Sequence, residues 1–338
     1  MYLNSVEKGR NIPIMTTPDQ LLQALQNEIE KNTYGETPVE LYEPIRYIMS
    51  LGGKRFRPLM TLMAASLYTD DWQKALKPAQ AVEAFHNFTL MHDDIMDCAP
   101  LRRGRLTVHE KWNANIAILS GDVMLVRAYD LLLDVESDRI KRVLTRFNQT
   151  AAEVCEGQQW DMNFETRWDV TEAEYLHMIR LKTSVLLGFA LEMGGIIGGA
   201  DEQACSLLYE AGVSMGIGFQ LKDDLLDVYG DPAKFGKQVG GDIIANKKTF
   251  LLIEALERAK GSAKAELDRW LAAEHFDSKE KVAAVTRIYD TLGIRKFTEQ
   301  KIAEYFDKGF EYLEQVTADP TRKAPLMGFV HQLVEREA

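Results

Sequence analysis

Residues 203–229 read QACSLLYEAGVSMGIGFQLKDDLLDVY, a stretch of helix formers and small residues with no proline, closing on the acidic run Asp223-Asp224-Leu225-Leu226-Asp227. Its apolar content and length predict a buried helix of several turns. Similar stretches lie at about 72–98, 109–134, 138–165 and 171–197. Upstream, Pro18–Lys31 reads as an amphipathic helix capped near Thr17 and Pro38–Ser50 as a second. The pair Gly52-Gly53 then breaks the chain before Arg57-Pro58 opens another, and shorter amphipathic segments fill 247–336. No period-2 strand and no Asn-Gly hairpin is apparent. The reading is all-α: one domain over residues 1–338, a helical bundle around a deep central cavity.

Composition narrows the partners. The 338 residues are 46% hydrophobic, enough for one large core, and no linker or low-complexity tract divides them. A formal charge of −11 argues against nucleic acid, whose phosphates call for basic faces. Small anionic substrates remain compatible if cations are concentrated in one cleft. Cys98, Cys155 and Cys205 have neither disulfide nor zinc spacing, which suits a reducing cytoplasm. The first residues, MYLNSVEKGRNIP, lack the apolar stretch of a signal peptide. The greasiest run, Val185–Ala200, reads as too short to span a bilayer, so no membrane anchor is expected.

The acidic run recurs. Asp93-Asp94-Ile95-Met96-Asp97 ends the stretch HNFTLMHDDIMD, residues 86–97, and repeats the DDxxD spacing of 223–227. On a helix Asp93 and Asp97 share one face, as do Asp223 and Asp227, and like charges so placed repel by about 0.2–0.5 kcal/mol per pair. Both runs follow apolar segments, so they belong on a cleft wall, where a divalent cation would neutralise them. Oxygen donors without histidine or cysteine point to magnesium. The plain alternative, a solvated acidic face, suits Asp70-Asp71, which lacks the fifth-position acid. It does not explain two copies on long apolar helices.

Basic and glycine-rich runs accompany both copies: Gly52-Gly53-Lys54-Arg55-Phe56-Arg57-Pro58, Arg102-Arg103-Gly104, Phe235-Gly236-Lys237, Gly240-Gly241-Asp242 and Asn246-Lys247-Lys248-Thr249. Arginine forks match phosphate oxygens, and glycines allow close approach. Together, GGKRFRP, HNFTLMHDDIMD, RRG, KTS, GFQLKDDLLD and FGKQVGGD occur in the order that resembles the trans-isoprenyl diphosphate synthases, the group of farnesyl and geranylgeranyl diphosphate synthases.

That resemblance implies a homodimer that condenses isopentenyl diphosphate with an allylic diphosphate. Three magnesium ions would be bound, two on the Asp93/Asp97 side and one on the Asp223/Asp227 side. It assigns Arg102, Lys182, Thr183, Gln220, Lys237 and Lys247 to the allylic diphosphate, with Lys248 an alternative to Lys247. Lys54, Arg57, His86 and Arg103 fall to isopentenyl diphosphate. Asp94 and Asp224, turned about 100° around their helices, would act indirectly. Asp93, Asp97, Arg102, Lys182 and Asp223 would carry the ionisation of the allylic carbon–oxygen bond. A class I terpene cyclase and a non-catalytic partner subunit are the alternatives. The second DDxxD argues against the first, and the intact motifs argue against the second.

Product length would be set before Asp93. Phe88 lies five residues upstream, about 7.5 Å along the axis, with the small Thr89 beside it and Phe85 almost a turn deeper. An aromatic beside a small residue resembles the geranylgeranyl type more than the double-aromatic farnesyl type.

Overall fold

The helix that closes on the second acidic run starts at a cap: the Asp201 carboxylate accepts from the Ala204 amide at 2.7 Å. From there α10 runs over Glu202–Tyr229. Its neighbour α9, Val185–Gly198, is buried almost throughout. The two backbones approach closely because of Gly212, where a Cβ would stand 2.7 Å from the Gly188 Cα and the Leu187 carbonyl. Gly194 does the same for α9 against α3 (Phe56–Ser66), where a Cβ would meet the Thr61 carbonyl at 2.2 Å. α3, α9 and α10 thus form successive packed layers, with Ile294–Gln315 beyond α10.

A computed structural model describes residues 17–231 and 240–335, and the expected phosphate ligand Lys237 lies outside them. The main core joins residues from Leu21 to Val330. A smaller cluster gathers Val228 with Leu251, Leu267 and Ile288 of the C-terminal helices. The predicted helices stand within a few residues. α1 is Pro18–Lys31, with a reciprocal capping box between Thr17 and Gln20, and α2 is Val39–Ser50. α4 spans Leu76–Met96 and α7 spans Ile140–Glu165.

Three expectations change. The stretch 109–134 is two helices, α5 (Val108–Lys111) and α6 (Ala114–Leu132), because the Asn113 side chain caps the Ile116 amide at 2.9 Å. A strand pair exists after all: Leu101–Arg102 pairs antiparallel with Arg105–Leu106. Its loop carries positive φ at both Arg103 (52°) and Gly104 (74°), the requirement an Asn-Gly search imposes without matching this sequence. The greasy run is longer than it reads. α8 (Glu172–Ile179), a π-turn at Arg180–Ser184 and α9 make one helical run, Glu172–Gly198, of 27 residues, long and apolar enough to cross a membrane. However, 83% of its apolar window is buried inside the protein, which identifies it as the core helix of the bundle.

Candidate active site

The first acidic run sits where α4 ends. Cys98 takes the left-handed conformation (φ 49°), and the Ala99 amide reaches back to the Asp94 carbonyl at 2.9 Å, stopping the helix just after Asp97. Asp94 turns inward and is buried. Arg102 grips it, Nε donating to both carboxylate oxygens at 2.9 and 2.8 Å and Nη2 to Oδ1 at 2.7 Å. The same Nη2 lies 3.7 Å from Asp93 Oδ2. Burial pushes the Asp94 carboxyl up, and Arg102 opposes that. Burial and then Asp93 raise Asp97 as well, against the pull of Lys182 and Lys247.

Lys182 reaches this cluster from the π-turn. Its ammonium stands 3.2 Å from Asp93 Oδ1 and 2.6 Å from Asp161 Oδ2 on α7. Gly157 makes that approach possible, since a Cβ there would fall 2.2 Å from the Lys182 amide nitrogen. The extra residue of the π-turn bulges the chain, a feature frequent at functional sites.

The second run is organised by a chain of polar contacts. Thr183 Oγ1 donates to Gln220 Oε1 at 3.3 Å, and Gln220 Nε2 donates to Asp224 Oδ1 at 3.1 Å. The Tyr175 hydroxyl donates to the other Asp224 oxygen. Asp224 is buried, and that burial, then Asp242, pushes its carboxyl up to about 7 despite Tyr175, Gln220 and Lys247. Asp227 points the other way, its Oδ2 accepting from the Asp242 amide at 3.0 Å. Asp223 presents its charge to Arg57, which burial shifts down while Glu83 and Asp223 support it.

The two runs meet at Lys247. Desolvation works against its charge, but Asp161, Asp242, Asp224 and Asp97 outweigh it and hold the ammonium above its ordinary range. Lys248 turns elsewhere. Its ammonium donates to the Glu165 carbonyl at 3.2 Å and lies 3.9 Å from the centre of the Trp168 ring. Of the two lysines, Lys247 is the one that faces the aspartates.

A second cationic group lies towards α3. Arg57 Nη1 is 3.4 Å from His86 Nε2, and Arg57 Nε is buried without a hydrogen bond. Burial, then Arg57, Arg103 and Arg102, drives the His86 pKa well below the ordinary histidine range, so the ring is neutral at pH 7. Arg103 folds back onto the Gly52 carbonyl, tying the RRG hairpin to the glycine pair. Lys54 is exposed beside them. Arg55, the other cation of that run, turns into the core and pairs with buried Glu83 and the Met49 carbonyl. Its role is to hold α3 against α4.

Below Asp93, Phe88 is buried with its ring edge-on to His92 at 4.8 Å and tilted against Phe85 at 5.6 Å. Phe85 packs edge-on to Phe147 of α7 at 5.2 Å. Thr89 spends its hydroxyl on the His86 carbonyl, 2.8 Å away.

Asp161 and Tyr175 join the site without having been singled out in the sequence, and Asp242, quoted there only as part of a glycine-rich run, joins it as an acid. Asp161 has Glu165 one turn on but lacks the acidic doublet of the two runs, and Tyr175 reads as core. Only the glycine before Asp161 in GQQWD hints at a close approach.

The donors suit magnesium. Every acid in the cluster offers oxygen, and Asp93 Oδ1 is buried with no hydrogen bond, its contact being the Lys182 ion pair. Among the described residues no three acid, histidine or cysteine side chains close into a cage.

A family model described as polyprenyl synthetase matches residues 38–289. The chain is 38% identical over 302 residues to a geranylgeranyl diphosphate synthase of Methanosarcina mazei, covering 89% of this chain and 91% of that protein. It is 36% identical over 315 residues to a geranylgeranyl pyrophosphate synthase of Geoglobus acetivorans, covering 93% and 96%. A crystal structure of geranylgeranyl pyrophosphate synthase superposes with a TM-score of 0.91 at 46% identity, covering 96% of this chain and all of that one.

Proposed function

The chain belongs to the polyprenyl synthetase family, and on that premise we propose that it is a short-chain prenyltransferase joining isopentenyl diphosphate to an allylic diphosphate, with geranylgeranyl diphosphate as the main product. The observation that carries this reading is the convergence of both aspartate runs on Lys247, with Lys182 paired to the first run beside it. Lys182 stands at 2.6 and 3.2 Å from Asp161 and Asp93, and Lys247 is held charged by acids from both runs.

Asp93, Asp97, Asp223 and Asp227 would hold three magnesium ions, two on the first side and one on the second. Bound magnesium supplies positive charge that stabilises a departing diphosphate. Lys182 and Lys247 add fixed charge beside it, and Arg102, held rigid by Asp94, keeps its fork near Asp93. Thr183 and Gln220 present a hydroxyl and an amide to the same region, with Lys237 as a further candidate ligand. Lys54, Arg57, His86 and Arg103 receive isopentenyl diphosphate. Neutral His86 offers one ring N–H there, and the unpaired Arg57 Nε supplies a second donor. None of these groups is an obvious base for the proton lost on condensation, so the released diphosphate takes it. Apolar side chains below Asp93 keep water from the cation.

The protein acts as a homodimer in a reducing cytoplasm in this reading. Leu119, Val126 and Leu133 are exposed at seven-residue spacing along and just past α6, an apolar stripe suited to pairing with a second helix. The test is the stoichiometry of diphosphate release. Release from the allylic substrate should require both magnesium and isopentenyl diphosphate, one for one. Release without isopentenyl diphosphate, with a cyclic hydrocarbon formed, would establish the cyclase instead.

A further inference from the structure

Lys281 is a fully buried lysine with no carboxylate among its contacts with the described residues. It lies in the first turn of the helix Ser278–Leu292, at 0% exposure. Its ammonium donates to the Asn246 side-chain oxygen at 2.7 Å and the Ile244 carbonyl at 3.2 Å, and stands 4.1 Å from the Phe276 ring centre. Burying an ammonium on neutral acceptors costs free energy that an apolar side chain there would not. Burial accordingly lowers its pKa. What the contact secures is local. Asn246 adopts the left-handed conformation (φ 53°), which asparagine tolerates better than other residues with a side chain but less readily than glycine. Its side chain is held at both ends, by Lys281 at oxygen and through Nδ2 by the Leu271 carbonyl at 3.1 Å.

The residue after that turn is Lys247. Its amide donates to the Asp242 carbonyl at 2.9 Å, and the Asp242 amide donates to Asp227 at 3.0 Å. Gly240 packs so tightly on Val282 that a Cβ would come within 2.6 Å of it. Residues 240–247 therefore rest on the start of the helix Ser278–Leu292, with Lys281 as the polar pin.

We propose that Lys281 is a positioning residue for prenyl transfer: by fixing the left-handed Asn246 turn it aims Lys247 at the aspartates of both runs. This rests on the assignment of Lys247 to the allylic diphosphate. Lys281→Met keeps the stem and removes the charge. It raises KM for the allylic diphosphate by ~10–100-fold, with a much smaller change for isopentenyl diphosphate. Lys281→Arg restores part of the loss.

The decisive comparison is a double-mutant cycle. In a Lys247→Ala background, Lys281→Met adds little, because it acts through a side chain already gone. The full-length protein is used throughout, and binding of inorganic diphosphate with magnesium, measured by calorimetry, gives a readout independent of turnover. It weakens in step with KM. Should Lys281→Met lose its melting transition, Asn246→Gly carries the test, since glycine permits the turn but removes the acceptor. Equal factors in both backgrounds, or equal KM changes for both substrates, overturn the proposal. A wild-type protein that neither binds diphosphate nor turns over overturns the functional reading itself, and this inference with it.

Discussion

At the residue scale, the aspartates were legible because their chemistry makes a pattern: two acids one helical turn apart, written twice. Asp161 shares their surroundings and has Glu165 one turn on, but it lacks the acidic doublet and the second copy that make the other runs stand out. Lys281, in the charged run Lys279-Glu280-Lys281, looks like solvated surface. Burial distinguishes such residues, and burial belongs to the tertiary structure. Asp93→Ala and Asp223→Ala should each reduce kcat by ~100-fold or more, measured with saturating substrates and a melting curve to verify the fold. Arg57→Ala should raise KM for isopentenyl diphosphate by ~10-fold or more and leave the allylic KM nearly unchanged. Asp224 makes a pH prediction. Its carboxyl, ordinarily at 3.8, is raised to about 7 in the fold. The folded state then holds a proton that the unfolded state has lost, so this group's stabilisation is present below pH ~4 and falls away up to pH ~7. In metal-free buffer the melting temperature of wild type minus that of Asp224→Asn should decline across this window and level off above it. A flat difference contradicts the buried, proton-holding carboxyl.

At the element scale, the long helices were readable from apolar periodicity, and their exceptions have local causes. Asn113 restarts a helix because its side chain caps the amide of Ile116. The π-turn at Arg180–Ser184 has no sequence signature, because it arises where α7 crowds the chain at Gly157. The aromatic column Phe88, Phe85 and Phe147 crosses from α4 to α7, and only its α4 half could be read from spacing. If that column is the floor of the tail channel, Phe88→Ala should lengthen the main product by one or two isoprene units. Adding Phe85→Ala should extend it further. A loss of ~3–5 kcal/mol of stability with unchanged products, measured by denaturation and prenol chromatography, would mean that the rings are core packing alone.

At the scale of the whole molecule, the fold brings distant parts of the sequence to one place. The ends of α4 and α10, the π-turn, the C-terminal turns of α7 and the 240–247 turn all contribute to one acidic and cationic centre. The sequence supplied the chemistry of four of these contributors, while their convergence on Lys247, with Lys182 beside the first run, follows from how α7, α9 and α10 pack. That convergence makes one chemical claim: this centre joins two diphosphate substrates rather than cyclising one. The most direct test incubates the purified full-length protein with isopentenyl diphosphate, magnesium and, in turn, dimethylallyl, geranyl and farnesyl diphosphate, followed by dephosphorylation and chromatography. The predicted result is a linear all-trans alcohol, geranylgeraniol predominating, formed only when isopentenyl diphosphate and magnesium are both present. A cyclic hydrocarbon, or no consumption of isopentenyl diphosphate with any of the three primers, would contradict the account.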